Sequence, residues 1–429
     1  MHVHESLPRK SSFNLLHFLV MGSAQIKRGD QIKGVFLLVI QLLFIFYIPQ
    51  FIHSINGLIT LGEVTQQRNG FEVIQGDNSI HLLVEGVVMA SFLVMFITLY
   101  VFNVKDSLRD VPYCRISVKQ QFKNIYEEYF PALALTPAAI ATLFFIILPI
   151  IITAMVALTN YSAPNYIPPR NLVDWVGLEN FFRLSSAKGW SSTFISITIW
   201  TLIWATTVTI LTYAVGFMMS SAVENRQVKF KGMWRLILIL PYAIPAFVSL
   251  LSFRLMLNGI GPVNDFLASI GIGSIAFLTD PLYAKLVCIF VGVWLGSPFY
   301  MLLITSAKTN IPANLYEASE VDGASRFQQF REITLPLVLQ QTAPTLVMNF
   351  AMNFNNMGIV YLITDGGPIN TDYVYAGHTD ILISWIYKMT LEFKQYQMAS
   401  VVSILIFLFL SVIAIWQFRR MKSFKEEVA

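Results

Sequence analysis

The chain has 429 residues, of which 55% are hydrophobic and only 13% are charged, and its formal net charge is +4. With a mean hydropathy of +0.61, the composition excludes an ordinary water-soluble protein, because a water-facing surface needs more charge than this. The apolar residues come in runs long enough to cross a bilayer as helices of about 20 residues. We therefore expect an all-α polytopic membrane protein that lies in the lipid bilayer. We expect no nucleic acid among its partners.

Eight apolar runs, taken in chain order, are predicted transmembrane helices. Backbone groups in hydrocarbon must be paired within their own segment, so a helix is the structure expected for each run. The runs are 34–51, 82–104, 132–158, 194–222, 234–257, 284–307, 337–363 and 398–418.

Most of the 29 Lys and Arg residues fall in the N-terminal segment, in every second loop and in the tail. The positive-inside rule then predicts a multi-pass protein of the cell membrane with both termini in the cytoplasm. Residues 1–33 contain Phe13, Leu16, His17 and Val20 at helical spacing, which indicates an amphipathic helix on the inner membrane surface. Residues 419–429 are the predicted cytoplasmic tail.

The cytoplasmic loop 312–336 has the pattern of two helices separated by a glycine turn. Pro312 suits a helix start, Gly323 interrupts, and Ser325 with Gln328 has the spacing of a capping box. We expect Leu335-Pro336 to end the second helix at the membrane. From these residues alone two interpretations stay open: a connector lying on lipid headgroups, or a docking site for a cytoplasmic partner.

The same loop resembles the EAA loop of ABC-importer membrane subunits. Glu317-Ala318-Ser319 is followed after three residues by Gly323, and after nine more by Ile333-Thr334-Leu335-Pro336. Only Ser319 departs from that pattern, which has alanine there. The resemblance implies that the loop fits a cleft on a separate ATPase subunit, with Glu317 in the docking contact and Gly323 in the turn.

The chain itself is not expected to be an enzyme. It contains no Gly-Lys dipeptide, so the phosphate-binding loop of an ATPase is absent. We expect no cofactor, because ATP is used by a partner subunit. Six scattered histidines and two cysteines give no ligand spacing, so no metal site is expected.

Four further segments, 240–247, 294–301, 352–368 and 375–388, resemble the larger, eight-span permease subunit of the maltose/maltodextrin importer. They read LPYAIPAF, WLGSPFYM, MNFNNMGIVYLITDGGP and YAGHTDILISWIYK. The resemblance implies two additional N-terminal helices in 34–130 and a six-helix permease core in 131–418. It also implies a second permease subunit in a heterodimer, a dimer of ATPase subunits and an extracellular sugar receptor. The short connection 159–193 suggests a lipid-anchored receptor in a bacterium with a single membrane.

Asparagines in the seventh span point to a polar site. Asn349, Asn353 and Asn356 share one face of a continuous helix, and amides in hydrocarbon are costly unless they are paired or face a wet cavity. Interhelical hydrogen bonds and a cavity for a neutral sugar both remain open. The core spans lack the carboxylates and histidines of an ion path, which disfavours the alternative of a secondary sugar transporter.

The resemblance to the maltose-type permease assigns substrate contacts to eight positions. They are Ala246, Gly292, Leu295, Gly296, Phe299, Met352, Asn353 and Asn356. Ala246, Gly292, Phe299 and Met352 replace polar or aromatic residues of the family, and a longer maltodextrin or a related oligosaccharide is compatible with what remains. Glycerol phosphate is a weaker alternative, because no Lys or Arg lies mid-span.

Overall fold

The computed structural model describes residues 16–69, 72–108, 117–167, 171–225 and 227–420. Phe13, with the rest of 1–15, and most of the predicted tail lie outside these ranges, so the predictions made for them are not addressed by the structure. The chain divides into two compact units, Met1–Gly177 and Leu178–Ala429, and each is described by itself.

In its described residues, the first unit is helical apart from one β-hairpin. Its helices are α1 Leu16–Leu19, α2 Ser23–Arg28, α3 Gln31–Phe46, α4 Ile48–Thr60, α5 Ser79–Ser107, α6 Val118–Thr142 and α7 Leu148–Ala157, and its strands are β1 Gln67–Asn69 and β2 Glu72–Ile74. The strands pair antiparallel. A π-helical turn, Leu143–Ile147, joins α6 to α7.

The second unit is helical and contains the predicted loop and pocket. Its helices are α8 Glu179–Ser186, α9 Trp190–Glu224, α10 Lys231–Ala243, α11 Ala246–Met256, α12 Pro262–Ser269, α13 Pro281–Thr309, α14 Ala313–Val321, α15 Arg326–Gln329, α16 Leu335–Phe354, α17 Met357–Thr364, α18 Leu382–Tyr387 and α19 Tyr396–Arg420. Two π-helical turns, Phe330–Thr334 and Lys388–Glu392, lie within it.

The predicted all-α membrane class is confirmed. Among the described residues, five helices are long and apolar enough to cross a bilayer, and there are up to eight spans if each bent helix pair is one. The three bent pairs are α3 with α4 (55°), α10 with α11 (84°), and the helix Arg326–Phe354 with α17 (41°). The expectation of uninterrupted helices at these three places was wrong.

The sharpest of the three bends has a clear chemical cause. Ile244 precedes Pro245 and adopts an extended backbone with φ −80° and ψ 136°. A residue before proline is pushed out of the helical region by the proline ring, and proline has no N–H to continue the helix. The run LPYAIPAF therefore gives two helices where hydrophobicity alone predicts one.

The N-terminal segment of the first unit folds over the end of α5. The backbone N–H of Gly22 donates to Asn103 Oδ1 (3.1 Å), and Gln25 Nε2 donates to Asp106 Oδ2 (2.8 Å). The Arg28 guanidinium donates to the carbonyl oxygen of Asp106 at 2.8 Å. The described part of the predicted amphipathic segment thus forms two short helices tied to a span by polar contacts.

A carboxylate organises the loop around the hairpin of the first unit. Asp77 Oδ2 accepts hydrogen bonds from the backbone N–H groups of Glu63 (2.8 Å) and Val64 (2.9 Å). Because these donors stabilise the ionised form, they lower the pKa of Asp77. The carboxylate closes the loop that carries the two strands.

Helix α9 is the central helix of the second unit, and glycines let its neighbour α13 approach closely. A Cβ atom at Gly216 of α9 would lie 2.5 Å from Tyr300 Cβ, and one at Gly296 of α13 would lie 2.8 Å from Thr212 Cγ2. Small residues at helix contacts are the usual means of close packing between membrane helices. This pairing places the predicted pocket residues of α13 directly beside α9.

Candidate functional site

The loop between α13 and α16 forms a compact projection, here called the knob and defined as residues 313–334. Helix α14 is followed by Gly323, whose φ of +77° lies in the left-handed region. The predicted capping box is confirmed: Gln328 N–H donates to Ser325 Oγ (3.3 Å), and Ser325 N–H donates to Gln328 Oε1 (2.8 Å). The helix–turn–helix expectation for this loop is therefore met.

The second helix of the knob does not end at Leu335-Pro336, as the sequence suggested. It continues through the π-helical turn Phe330–Thr334 directly into α16. In a π-helical turn the backbone hydrogen bonds join groups five residues apart, so the turn is wider than in an α-helix. The wider turn leaves room for the ring of Pro336, which has no N–H to donate. The knob is consequently continuous with a predicted transmembrane helix.

Polar and aromatic contacts hold the knob together. The hydroxyls of Tyr316 and Thr334 are 2.9 Å apart, and Gln329 Nε2 donates to Ser319 Oγ at 3.0 Å. Ser319 Oγ also donates to the carbonyl oxygen of Tyr316 (2.7 Å). Serine at the position where the resembling loop has alanine thus adds a hydrogen bond between the two helices, a role that its sequence position did not reveal.

The opposite surface of the knob is open. Val321 is 89% exposed and Phe327 is 69% exposed, and Glu317 and Ala318 are exposed as well. A Cβ atom added to Gly323 would meet no heavy atom within 4 Å. By contrast, Ile333 and Leu335 pack against a buried cluster of the second unit that includes Tyr213, Phe217 and Tyr300, while Pro336 is exposed.

The asparagines lie at the bend between α16 and α17. Asn353 is buried, and its side-chain Nδ2 donates to Thr209 Oγ1 (3.0 Å) and to Asn349 Oδ1 (2.8 Å). Its backbone carbonyl oxygen accepts a hydrogen bond from Trp204 Nε1 (3.0 Å). Interhelical hydrogen bonding therefore accounts for this amide. Asn356 is half-buried at the start of α17, and its side chain does not cap that helix.

The other predicted pocket residues separate into three groups. Gly292 and Gly296 lie against α9, where a Cβ at Gly292 would be 3.3 Å from the Trp204 ring. Met352 is 66% exposed, and Ala246 is exposed at the first position of α11, directly after the sharpest bend. The remaining two, Leu295 and Phe299, are half-buried.

Ala246 and Met352 thus offer their side chains to the surroundings, whereas the two glycines and Asn353 hold the bundle together. Substrate contact at all eight positions stays a prediction. The partners of Asn353 on α9, Thr209 and Trp204, were missed by the sequence analysis. Their signal was the run of threonines and tryptophans within an otherwise apolar span.

A second polar cluster lies in the segment after α17, here called the cap and defined as residues 365–388. Asp380 is 1% exposed, and it accepts hydrogen bonds from Lys388 Nζ (2.8 Å), Ser384 Oγ (2.7 Å) and the N–H of Gly377 (2.7 Å). Burial raises the pKa of the Asp380 carboxyl, and the charge of Lys388 opposes this. Lys388 Nζ also donates to the carbonyl oxygen of Asp365 (2.8 Å).

Comparison with known proteins identifies the family. Residues 212–423 match the model of the binding-protein-dependent transport system inner membrane component. The galactooligosaccharides transport system permease protein GanP of Bacillus subtilis strain 168 is 36% identical over 96% of this chain and 98% of its own length. The chain belongs to this family of binding-protein-dependent transport components.

Other members of this transport family include maltodextrin permeases. The permease protein MdxF of Bacillus subtilis strain 168 is 34% identical over 100% of this chain and 99% of its own length. The maltose/maltodextrin permease protein MalF of Vibrio vulnificus strain YJ016 is 37% identical over 59% of this chain and 50% of its own length. The resemblance drawn from the sequence is thereby confirmed.

A solved structure supports the fold. A bacterial ABC transporter involved in the import of alginate contains a chain that superposes with a TM-score of 0.55, at 23% identity, over 71% of this chain and 100% of its own. Its architecture is that of an ABC-transporter permease, which agrees with the helical second unit.

Proposed function

We propose that the chain is a permease subunit of an ATP-driven importer of maltodextrins or closely related oligosaccharides. The observation that carries the proposal is the knob: two helices joined at a left-handed glycine, with Glu317, Val321 and Phe327 exposed. An exposed apolar and acidic surface on a rigid helical projection suits a groove on another protein. We propose that this groove belongs to a cytoplasmic ATPase subunit.

The bundle also supports the need for a second permease subunit. Helix α10 has no buried residue, and apolar side chains at the bend that follows it are exposed, including Tyr242 (56%) and Phe247 (59%). Because these lie beside the exposed predicted contact Ala246, we propose that a partner permease covers this face and completes the translocation pathway. ATP is used by the partner ATPase, with no cofactor in this chain.

The substrate is proposed from chemistry and likeness together. None of the eight predicted contact residues is charged, which suits a neutral polyhydroxylated guest and disfavours glycerol phosphate. Among the relatives reported above, MdxF is named as a maltodextrin permease, MalF as a maltose/maltodextrin permease and GanP as a galactooligosaccharides permease. Maltodextrin is our first choice and a galactooligosaccharide is the alternative, whereas family membership argues against a secondary sugar transporter.

A receptor must deliver the sugar in a binding-protein-dependent system. We propose an extracellular receptor that is anchored to lipid, in a bacterium with one membrane and with both termini of this chain in the cytoplasm. The support is the short connection between α7 and α9, which runs from Leu158 to Gly189 and contains the eight-residue helix α8.

Uptake of radiolabelled sugars of graded length tests the proposal. Cells without this chain are expected to lose uptake of malto-oligosaccharides, and cells complemented with it are expected to regain it. Galactooligosaccharides of matched length, added unlabelled, serve as competitors and distinguish the two substrate classes. Equal uptake of the labelled malto-oligosaccharides with and without the chain would contradict the proposal.

A further inference from the structure

A lysine outside the recognised loop motif joins the root of the knob to α9. Lys308 lies in the last turn of α13. Its Nζ is 2.9 Å from Ser221 Oγ, 3.2 Å from Ser220 Oγ and 3.4 Å from Glu224 Oε2, and it lies 4.7 Å from the ring centroid of Phe217. The four partners share one face of the last two turns of α9.

The contact between Lys308 and Glu224 is largely shielded from water. The side chains of Lys308 and Glu224 are 14% and 26% exposed, so salt screens their attraction less than that of a surface pair. The Phe217 ring adds a cation–π contact. Lys308 therefore fixes the end of α13 to the end of α9.

The far end of the knob is attached to the same place. The Phe330 ring packs edge-on against Phe217 at a centroid distance of 5.3 Å. Phe217 thus contacts Lys308 before the knob and Phe330 at its end. Both ends of the knob therefore contact the last turns of α9.

Helix α9 then leads without interruption to the asparagine bend. It is one helix from Trp190 to Glu224, and its residues Thr209 and Trp204 hold the buried Asn353 by hydrogen bonds. Helix α9 therefore connects the knob to the bend between α16 and α17, beside the covalent connection that the knob has through α16.

We propose that Lys308 is a positioning residue that fixes the knob to α9, so that movement of the knob passes through α9 to Asn353 and the bend. The inference rests on the proposed function, because a partner ATPase is what moves the knob. Coupling of this kind is shown by an energetic test and not by proximity alone.

The test uses the assembled transporter in proteoliposomes and measures sugar transported per ATP hydrolysed. Lys308→Met is expected to keep ATPase association while this ratio falls roughly tenfold, within the usual range of coupling between sites. Lys308→Arg, which keeps the charge, is expected to restore most of the ratio. The exchange of Lys308→Glu with Glu224→Lys is expected to transport more per ATP than Lys308→Glu alone, because the pair is re-formed.

Lys229→Met is the matched control, since Lys229 is an exposed lysine shortly after α9, and its ratio is expected to be unchanged. Should Lys308→Met fail to accumulate, Glu224→Gln removes the partner charge and is expected to lower the ratio in the same direction. A wild-type ratio in whichever of these two variants assembles overturns the inference. A wild-type chain that associates with no ATPase overturns the proposed function itself, and the two failures are thereby distinguished.

Discussion

Gly323→Leu is expected to lower sugar uptake strongly while the chain still inserts into the membrane. The glycine has φ +77°, a conformation that costs an L-residue with a Cβ atom about 1–2 kcal/mol. A Cβ atom there meets nothing in this chain within 4 Å, so a leucine side chain would project into the proposed ATPase groove. Uptake and co-purification of the ATPase are both expected to fall by about tenfold or more, since 1.4 kcal/mol is already tenfold.

Two further substitutions at Gly323 separate backbone strain from bulk. Alanine adds strain with little volume, whereas asparagine tolerates the left-handed region and adds volume. If docking limits transport, asparagine is expected to impair ATPase association more than alanine does. Normal uptake together with normal ATPase association in Gly323→Leu would contradict the docking role of the knob.

Asp380→Ala is expected to destabilise the second unit strongly. The change leaves Lys388, whose side chain is 12% exposed, without its carboxylate partner. Removing one member of a buried ion pair costs about 3–5 kcal/mol, because an uncompensated charge stays buried. Thermal unfolding of the purified chain in detergent is expected to begin several degrees lower.

A double variant and a surface control test the cause of that loss. Asp380→Leu with Lys388→Met removes both charges and is expected to be more stable than Asp380→Ala, since no unpaired charge remains. Glu392→Ala removes an exposed carboxylate that lies shortly after Lys388 in the chain, and it is expected to have little effect on the unfolding temperature. An unfolding temperature for Asp380→Ala equal to that of the wild type would show that the cap does not depend on this pair.

The sequence located the apolar runs that form the candidate spans of the described residues, because length and hydrophobicity decide where helices can cross a bilayer. It also predicted the capping box at Ser325 and Gln328, because that motif depends only on residues three apart. Pro245 could have predicted the bend at Ile244, but the long hydrophobic run favoured a single continuous helix. The bend at Asn355 and Asn356 had no such signal.

The pocket was harder to predict because each residue's role depends on what packs opposite it. Because Gly292 and Gly296 have no side chain, the sequence alone suggests room for a substrate beside them. In the fold, side chains of α9 fill that room. The Asn353 amide is polar enough to bind a sugar, but in the fold it donates a hydrogen bond to Thr209 Oγ1. The pairing of Asp380 with Lys388 likewise requires the cap to fold back on itself, which no local pattern indicates.

Cross-linking from the knob tests the central claim most directly. With Cys114 and Cys288 replaced by alanine, Val321→Cys places a single thiol on the exposed surface of the knob. In the assembled transporter, a short thiol-directed cross-linker is expected to join this position to a chain that hydrolyses ATP. If the thiol instead reacts with a probe held in the lipid headgroups and no such chain is captured, the knob is a membrane-surface connector and the account is contradicted.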